Sequence, residues 1–345
     1  MRNISLVILF FLSYSCTSMS QERRDSVINT SDSIFCPKDS IITSRLTLLF
    51  AGDLMQHQAQ INAARTSTGY DYSDCFKFVK EEINRADIAI ANLEVTLGGK
   101  PYRGYPAFSA PDEYLFAIRD AGFDVLITAN NHCLDKGKKG LERTLLMLDS
   151  LQIPHAGTYV NTESREQQYP LLLEKNGFRI ALLNYTYGTN GIKVISPNVV
   201  NYIDKAVMAQ DIEAARAQHP DALIACMHWG DEYQSLPNKE QKNLTNWLLQ
   251  QGVTHIIGSH PHVVQPMELR TDSITGNQHV VVYSLGNFIS NMSARRTDGG
   301  LLFKLELEKD SVTRVANCGY SLVWTSRPVL SRKKNHILYP INYPA

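Results

Sequence analysis

The sequence predicts an α/β fold in which helices cover largely parallel sheets. From about residue 45, short apolar runs alternate with segments of helical periodicity. The runs are apolar throughout, which is typical of strands buried on both faces of a sheet. Polar and ionisable residues directly follow many of these runs. In α/β folds such strand ends converge on one crevice, so we expect a functional site there.

The elements follow one another as strand, then helix. The predicted strands are 46–51, 88–91, 125–128, 179–183, 222–227, 255–257 and 280–283. Helical spacing predicts helices at 75–85, 112–121, 140–151, 205–218 and 239–250, with Pro220 and Gly252 as stop signals. Residues 301–307 and 312–324 predict an antiparallel pair joined at Lys309 and Asp310, and therefore a C-terminal antiparallel β extension.

The N-terminus is typical of an export signal. Arg2 precedes the apolar run 6–12, and small residues precede Cys16, which resembles a bacterial lipoprotein signal in residues 1–15. Acylation of Cys16 would anchor the chain to the membrane and place it in the cell envelope, exposed on the periplasmic face or cell surface. An ordinary secretory signal, in which Cys16 has no role, is the alternative. We expect a flexible tether at 16–44, one domain at 45–325 and a tail at 326–345.

Composition excludes several classes of protein. The chain has 34 basic and 34 acidic side chains, so bulk charge argues against a nucleic-acid partner. Only the first dozen residues form a long apolar run, which excludes a multi-span membrane protein. Of six cysteines, five remain besides Cys16, and no C-x-x-C occurs. This spacing predicts neither a zinc ribbon nor a dense disulfide framework.

A His-Pro-His motif follows the predicted strand 255–257. On an extended turn stiffened by Pro261, His260 and His262 can point the same way. A cation is a natural reason to hold two imidazoles together, although both could instead cap backbone groups of a loop.

Other strand ends carry further candidates, each with a structural alternative. Asp53 could be a helix cap, Glu94 a surface acid, Asn131 a cap and His228 a buried histidine bonded to a carbonyl. Jointly these alternatives weaken, because five of the ten histidines fall at or just after strand ends. The mixed oxygen and nitrogen ligands predict a pair of divalent ions such as manganese, zinc or iron. The candidate ligands are Asp53, His57, Glu94, Asn131, His228, His260 and His262, with Glu94 as the bridging carboxylate.

His132, which follows Asn131, is the candidate general acid. Asp135 could orient its imidazole, or only cap the next turn. Glu232 could orient His228 or contact substrate. These three residues form the predicted catalytic set.

Five motifs in order closely resemble the CapA-type capsule, or poly-γ-glutamate, synthesis proteins, whose domain is related to the calcineurin-like metallophosphoesterases. They are Gly52-Asp53, Asn92-Leu93-Glu94, Asn131-His132, His228-Trp229-Gly230-x-Glu232 and His260-Pro261-His262, and the segment 283–288 looks like a sixth. The resemblance covers roughly 46–290. It implies a four-layer α/β/β/α sandwich, with Asp53 and His262 on one metal and Asn131, His228 and His260 on the other.

The resemblance also implies function. We expect a metal-dependent hydrolase or transferase acting on an anionic cell-envelope polymer or a small-molecule substrate. Met55 stands where the phosphoesterases usually have a histidine, and His57 is the candidate replacement. This departure favours the competing hypothesis of a non-catalytic scaffold in a capsule synthesis complex. A phosphodiesterase is a third hypothesis, based on fold analogy.

Overall fold

The computed structural model describes residues 43–341. The predicted signal at 1–15, the lipidation site Cys16 and residues 16–42 of the predicted tether lie outside the described residues, as do 342–345. Within the described part, no helix combines the length and apolarity needed to cross a bilayer. The four cysteines at 75, 133, 226 and 318 are free thiols.

Sixteen strands and eight helices make up residues 43–341. The strands are β1 (Ser44–Leu54), β2 (Ile88–Leu93), β3 (Val125–Ile127), β4 (His155–Ala156), β5 (Thr158–Tyr159), β6 (Leu171–Lys175), β7 (Phe178–Thr186), β8 (Val199–Val200), β9 (Ala222–His228), β10 (His255–Ser259), β11 (Met267–Thr271), β12 (Gln278–Val282), β13 (Asn287–Ile289), β14 (Gly299–Lys309), β15 (Thr313–Ser326) and β16 (Ile337–Pro340). The helices are α1 (Gln58–Ala64), α2 (Lys80–Asn84), α3 (Asp112–Ala121), α4 (Gly137–Ser150), α5 (Thr162–Gln168), α6 (Lys205–Ala217), α7 (Lys239–Gln251) and α8 (Pro328–Ser331).

Local sequence signals set several helix ends. Asn238 caps α7 by accepting a hydrogen bond from the backbone of Gln241, which returns one from its side chain. Gly252 ends α7 and Gly122 ends α3, both in the left-handed conformation that favours glycine. Helix α2 is shorter than the predicted 75–85, because turns occupy the residues before Lys80.

The strands form two large sheets. The first has eight strands, in the order β16-β15-β14-β1-β2-β3-β4, with β13 paired to β1. The second has six, in the order β11-β12-β10-β9-β7-β6, and β5 pairs with β8 separately. The central strands β1, β2 and β3 are parallel to one another, and so are β7, β9, β10 and β12. Their carboxyl ends therefore lie at one edge of each sheet.

Alternating side chains of the strands divide the core into layers. In β1, Leu48 and Phe50 belong to an apolar cluster shared with the second sheet, whereas Leu49 and Ala51 belong to one shared with α1 to α4. The second sheet alternates in the same way and packs its outer face against α6 and α7. Helices thus cover the outer face of each sheet, and the predicted α/β class and four-layer sandwich are confirmed.

The predicted C-terminal antiparallel pair is also confirmed. Strands β14 and β15 pair along their length, and β14 pairs with β1 from Ser44 opposite Lys309 to Ala51 opposite Leu302. The two strands therefore extend the first sheet. Beyond residue 325, β16 adds a further strand at the edge by pairing with the end of β15.

Candidate metal centre

Five ionisable side chains meet at the carboxyl ends of strands from both sheets. Asp53 lies near the end of β1 and Glu94 directly follows β2, in the first sheet. His228 ends β9, and His260 and His262 follow β10, in the second sheet. Each exposes 3% of its surface or less. Such burial is costly for carboxylates and imidazoles unless each finds a partner.

Glu94 lacks such partners. Both carboxylate oxygens are buried and accept no hydrogen bond from the described residues. The imidazole Nε2 atoms of His228 and His262 lie 3.7 and 3.8 Å from its Oε1. Burial, with the neighbouring charge of Asp53, raises the pKa of Glu94 well above its ordinary value. A buried carboxylate with unused lone pairs facing imidazoles fits a bound cation.

Asp53 is better supported. Its Oδ1 accepts a hydrogen bond of 2.8 Å from Asn92 Nδ2. Its Oδ2 has no hydrogen-bond partner of good geometry among the described residues, although His262 Nδ1 lies 3.2 Å away. Burial pushes the pKa of Asp53 upward, but the contact with His262 outweighs it and holds the pKa below the ordinary value. Asp53 is therefore an anion with one oxygen free for a metal.

The three histidines are oriented by amides or left open. Asn287 Oδ1 lies 2.9 Å from His262 Nδ1, and Asn131 Oδ1 lies 2.9 Å from His228 Nε2. His260 Nδ1 has no partner within the described residues. Burial lowers the pKa of His260 to about 3 and that of His228 well below its ordinary value. Both rings are neutral near pH 7; the His260 Nδ1 lone pair is unengaged among the described residues, whereas that of His228 Nδ1 faces the Asn92 amide.

The His-Pro-His segment differs from the predicted extended turn. His260 and His262 adopt left-handed backbone angles, with φ of 99° and 58°. Non-glycine residues with positive φ are uncommon and concentrate at functional sites. This conformation keeps the two ring centroids 5.9 Å apart.

Glu94 is common to two overlapping ligand groups. Glu94, His260 and His262 offer atoms within 4.8 Å of one another, and so do Asp53, Glu94 and His228. Carboxylates with imidazoles suit borderline divalent ions, so the donor set fits the expected metals. Glu94 is shared by both groups, but these pair Asp53 with His228 and His260 with His262, whereas the resemblance implies Asp53 with His262 and His228 with His260. The bridging role of Glu94 and the assignment of ligands to each ion stay predictions.

His132 lies beside this cluster with an oriented ring. Its Nδ1 is 2.8 Å from Asp135 Oδ2, and both side chains are buried. Asp135 also accepts the backbone N–H of Phe108, whose ring packs edge-on against His132 at 4.6 Å. The Asp135 carboxylate thus holds the imidazole through Nδ1 and leaves Nε2 as the other ring nitrogen. The catalytic roles of both residues stay predictions.

Two predicted residues lie near the cluster but outside both ligand groups of the described residues. His57 caps α1, where its Nδ1 lies 3.2 Å from Gln60 Oε1 and accepts the N–H of Asn291. It belongs to neither ligand group found among residues 43–341. Glu232 is exposed. Met55 is buried and brings no ligand to this side of the site. The roles of His57 and Glu232 stay predictions.

Three residues outside the predicted set contact the candidate ligands. Asn92 Nδ2 lies 3.2 Å from His228 Nδ1 while donating to Asp53, and Asn287 orients His262. Both follow the strand-end pattern that identified the other candidates. Tyr187 places its ring 4.5 Å from that of His260. The chain has sixteen tyrosines, and no sequence signal distinguishes Tyr187 from the others.

Sequence comparison extends these observations. Residues 47–292 match the family model described as bacterial capsule synthesis protein PGA_cap. The PGA biosynthesis protein CapA of Bacillus subtilis (strain 168) is 29% identical over 279 residues, and the capsule biosynthesis protein CapA of Bacillus anthracis is 26% identical over 287. The alignments cover 78% and 79% of this chain, and 70% and 66% of those proteins. The resemblance predicted over 46–290 is confirmed.

Two solved structures have similar folds at low sequence identity. NAD nucleotidase (NadN) of Haemophilus influenzae is 14% identical, with a TM-score of 0.49, covering 82% of this chain and 58% of that one. The 5′-nucleotidase of Candida albicans SC5314 is 12% identical, with a TM-score of 0.44, covering 84% and 53%.

Proposed function

Because the chain belongs to the bacterial capsule synthesis family PGA_cap, we propose that it is a divalent-metal-dependent hydrolase or transferase acting on an anionic cell-envelope polymer. The relatives named for PGA and capsule biosynthesis support poly-γ-glutamate as the first polymer to test. The observation that carries the proposal concerns Glu94: its two buried oxygens accept no hydrogen bond from residues 43–341, and the Nε2 atoms of His228 and His262 lie 3.7 and 3.8 Å from Oε1.

The ligand set supports one or two ions. Glu94 would bridge, Asp53 and His228 would complete one group, and His260 and His262 would complete the other. When bound, manganese, zinc or iron supplies Lewis-acid polarisation of a carbonyl or phosphoryl oxygen and acidifies water. Asn131 offers an amide oxygen beside His228.

The remaining chemistry belongs to the chain itself. His132 Nε2 can donate a proton to the leaving amine or alkoxide, while Asp135 stabilises the imidazolium through Nδ1. Asn92 and Asn287 hold the ligands in fixed orientations, which lowers the reorganisation needed during reaction.

A scaffold without catalysis is the second candidate. Met55 is apolar and buried, and His57 makes its ring contacts with Gln60, Asn291 and Phe108 instead of joining the ligand groups. A site with fewer ligands on that side could bind metal for structure alone, within a capsule synthesis complex.

We further propose that the protein acts in the cell envelope. The capsule-related relatives support this location. Membrane anchoring through Cys16 remains a proposal from the sequence, and mass spectrometry of the mature N-terminus tests it by detecting, or failing to detect, an acylated cysteine.

Metal analysis combined with a substrate screen tests the enzyme proposal. Purified protein is expected to contain manganese, zinc or iron, and to act on poly-γ-glutamate, γ-glutamyl peptides or phosphoesters. Glu94→Gln should lose most of the metal and activity, because it removes the shared carboxylate. Glu213→Gln, an exposed change on α6, should retain both.

The outcomes separate the candidates. Full metal loading without turnover of any substrate, together with complementation of the capsule phenotype by His132→Ala, would favour the scaffold. Absence of bound metal in protein that remains folded would exclude both the catalytic and the structural role of the ion.

A further inference from the structure

Three tyrosines stand exposed around the buried ligand cluster. Tyr105, Tyr187 and Tyr233 expose 74%, 48% and 49% of their surfaces. They lie on separate segments: a loop between β2 and α3, the residue after β7, and the loop after β9. Exposed aromatic rings gathered near one site are typical of binding surfaces, because such rings combine apolar area with a polar tip.

Tyr187 covers two candidate ligands. Its ring lies 4.5 Å from His260 and stacks nearly parallel to His228 at 6.3 Å. Its backbone N–H donates to the carbonyl of His228 at 3.0 Å, which fixes the ring against the end of β9. Its phenol hydroxyl is available as a hydrogen-bond donor.

Tyr233 stands beside another imidazole, and Tyr105 is one ring removed from a third. The Tyr233 ring lies 6.2 Å from His262, and its backbone N–H donates to the carbonyl of Pro261. Tyr105 packs at 6.3 Å against Phe108, the ring that contacts His132. The three tyrosines thus approach different parts of the cluster.

The spread of these rings bears on the size of the ligand. A group as small as one carboxylate or phosphate at the cluster leaves rings on separate loops uncovered, whereas an extended ligand can contact several of them. Phenol hydroxyls donate to carboxylate or amide oxygens, and ring faces pack against methylene groups.

The charges around the site indicate whether the ligand is an anion or a cation. Asp53, Glu94, Asp135, Asp231 and Glu232 all act on the ligand cluster, so two divalent cations would leave its charge near zero. Arg296, exposed and hydrogen-bonded at 2.7 Å to Ser235 Oγ, then supplies a positive charge near Tyr233. This charge favours an anionic ligand beside Tyr233.

We propose that Tyr105, Tyr187 and Tyr233, here called the rim tyrosines, bind an extended, amide-linked polyanion and make the site selective for chain length. The proposal rests on the proposed function, since it places such a polymer at the metal centre. It assigns specificity to residues that hold no metal.

Equilibrium binding tests the rim tyrosines. The full chain loaded with manganese is titrated by calorimetry with a γ-linked glutamate dipeptide and with long γ-linked polyglutamate. Polymer should bind more tightly than dipeptide. Tyr105→Ala and Tyr233→Ala should each weaken polymer binding by about ten-fold and dipeptide binding by less than about two-fold. Tyr187→Phe keeps the ring and isolates the contribution of the hydroxyl.

A matched control is available on β15. Tyr320 is 58% exposed and lies in the first sheet away from the strand ends, so Tyr320→Ala should leave both affinities unchanged. Metal content of each variant confirms that the site is intact.

The proposal is overturned if dipeptide and polymer bind equally well, or if rim variants with full metal content bind polymer as the parent does. Rim-dependent polymer binding without turnover would support the rim tyrosines and reject the hydrolase. Turnover of polymer, with polymer binding unchanged in the rim variants, would support the hydrolase and reject the role of the rim tyrosines.

Discussion

Glu94 and His132 are both buried, but their surroundings suit them to different roles. In the part of the chain that the structure describes, the Glu94 oxygens accept no hydrogen bond, whereas His132 has one ring nitrogen held at 2.8 Å by Asp135. An unpartnered carboxylate suits a metal ligand, and an oriented imidazole suits proton transfer. Their environments therefore separate binding from acid–base chemistry within one cluster.

Replacing His132 should separate these roles in solution. We expect His132→Gln to lower the turnover rate by about 10²–10⁴-fold, because a general acid is lost, with metal content unchanged. Asp135→Asn should give a smaller loss, since the ring remains but its orientation and charge stabilisation weaken. Rates and elemental analysis on the same samples measure both effects.

His155 provides a control for burial alone. It is a buried histidine whose Nε2 lies 3.1 Å from Asp149, on the α4 side of β4. Folded His155→Gln should turn over substrate at the parent rate. Loss of metal in His132→Gln would contradict the assignment and make His132 a ligand.

Strand β1 shows how closely an element must fit its neighbours to place a ligand. Its pairing with β2 shifts register between Ala51 and Asp53, where the strand passes against Gly286. A Cβ at Gly52 would lie 1.9 Å from the Gly286 carbonyl oxygen. Because glycine has no side chain, β1 can approach the segment that begins β13 at this position. Asp53, the next residue, then lies in the ligand cluster.

Gly52→Ala should therefore destabilise the fold. We expect a loss of about 1–3 kcal/mol in the free energy of unfolding, with weakened metal binding, because the backbone must shift beside Asp53. Gly319→Ala on β15 is the matched control, since its added methyl would meet nothing within 4 Å. Equal urea midpoints for the two variants would contradict the close approach.

Elements with strong periodicity were predictable, and short or paired elements were not. Helix α3 matches its predicted span, and the apolar runs became the buried central strands. Strand β6 was missed, although Asn176-Gly177, both with positive φ, forms the kind of turn that joins hairpins. Strand β13 has only three residues and forms by pairing with β1, which is distant in the sequence. The local sequence therefore carries little signal for it.

The same distinction applies to the site. Parallel strand ends predicted which polar side chains converge, and five of them meet in two ligand groups. His57 has the right residue type but precedes helix α1, where its Nδ1 accepts the backbone N–H of Asn291. Tyr187 enters the site through contacts of its ring with His260 and His228, which spacing along the chain does not encode.

At the scale of the whole molecule, acid should unfold the sandwich through buried neutral histidines. His255 opens β10, where its Nδ1 accepts the N–H of Val280 at 3.1 Å. Burial, with a smaller contribution from the charge of His279, lowers its pKa to about 3. Between this value and about 6.5 the unfolded chain binds a proton that the folded chain does not. Stability is therefore lost as pH falls through that window.

His255→Gln should flatten this dependence. The parent should lose about 2 kcal/mol more than the variant between pH 7 and pH 5, measured by urea unfolding at each pH. Exposed His219→Asn is the control and should follow the parent. Parallel curves for the parent and His255→Gln would show that His255 is protonated in the folded state.

The candidate ligands come from both sheets: Asp53 and Glu94 from the first, and the histidines from the second. An ion held by both would act as a clamp across the sandwich, so occupancy and folding become thermodynamically linked. Ligand at one hundred times its dissociation constant adds about 2.7 kcal/mol to stability. Chelation should therefore lower the melting temperature of the parent and leave that of Glu94→Gln unchanged. The ion would then stabilise the fold as well as take part in the reaction. Its concentration would therefore set the fraction of the protein that is folded.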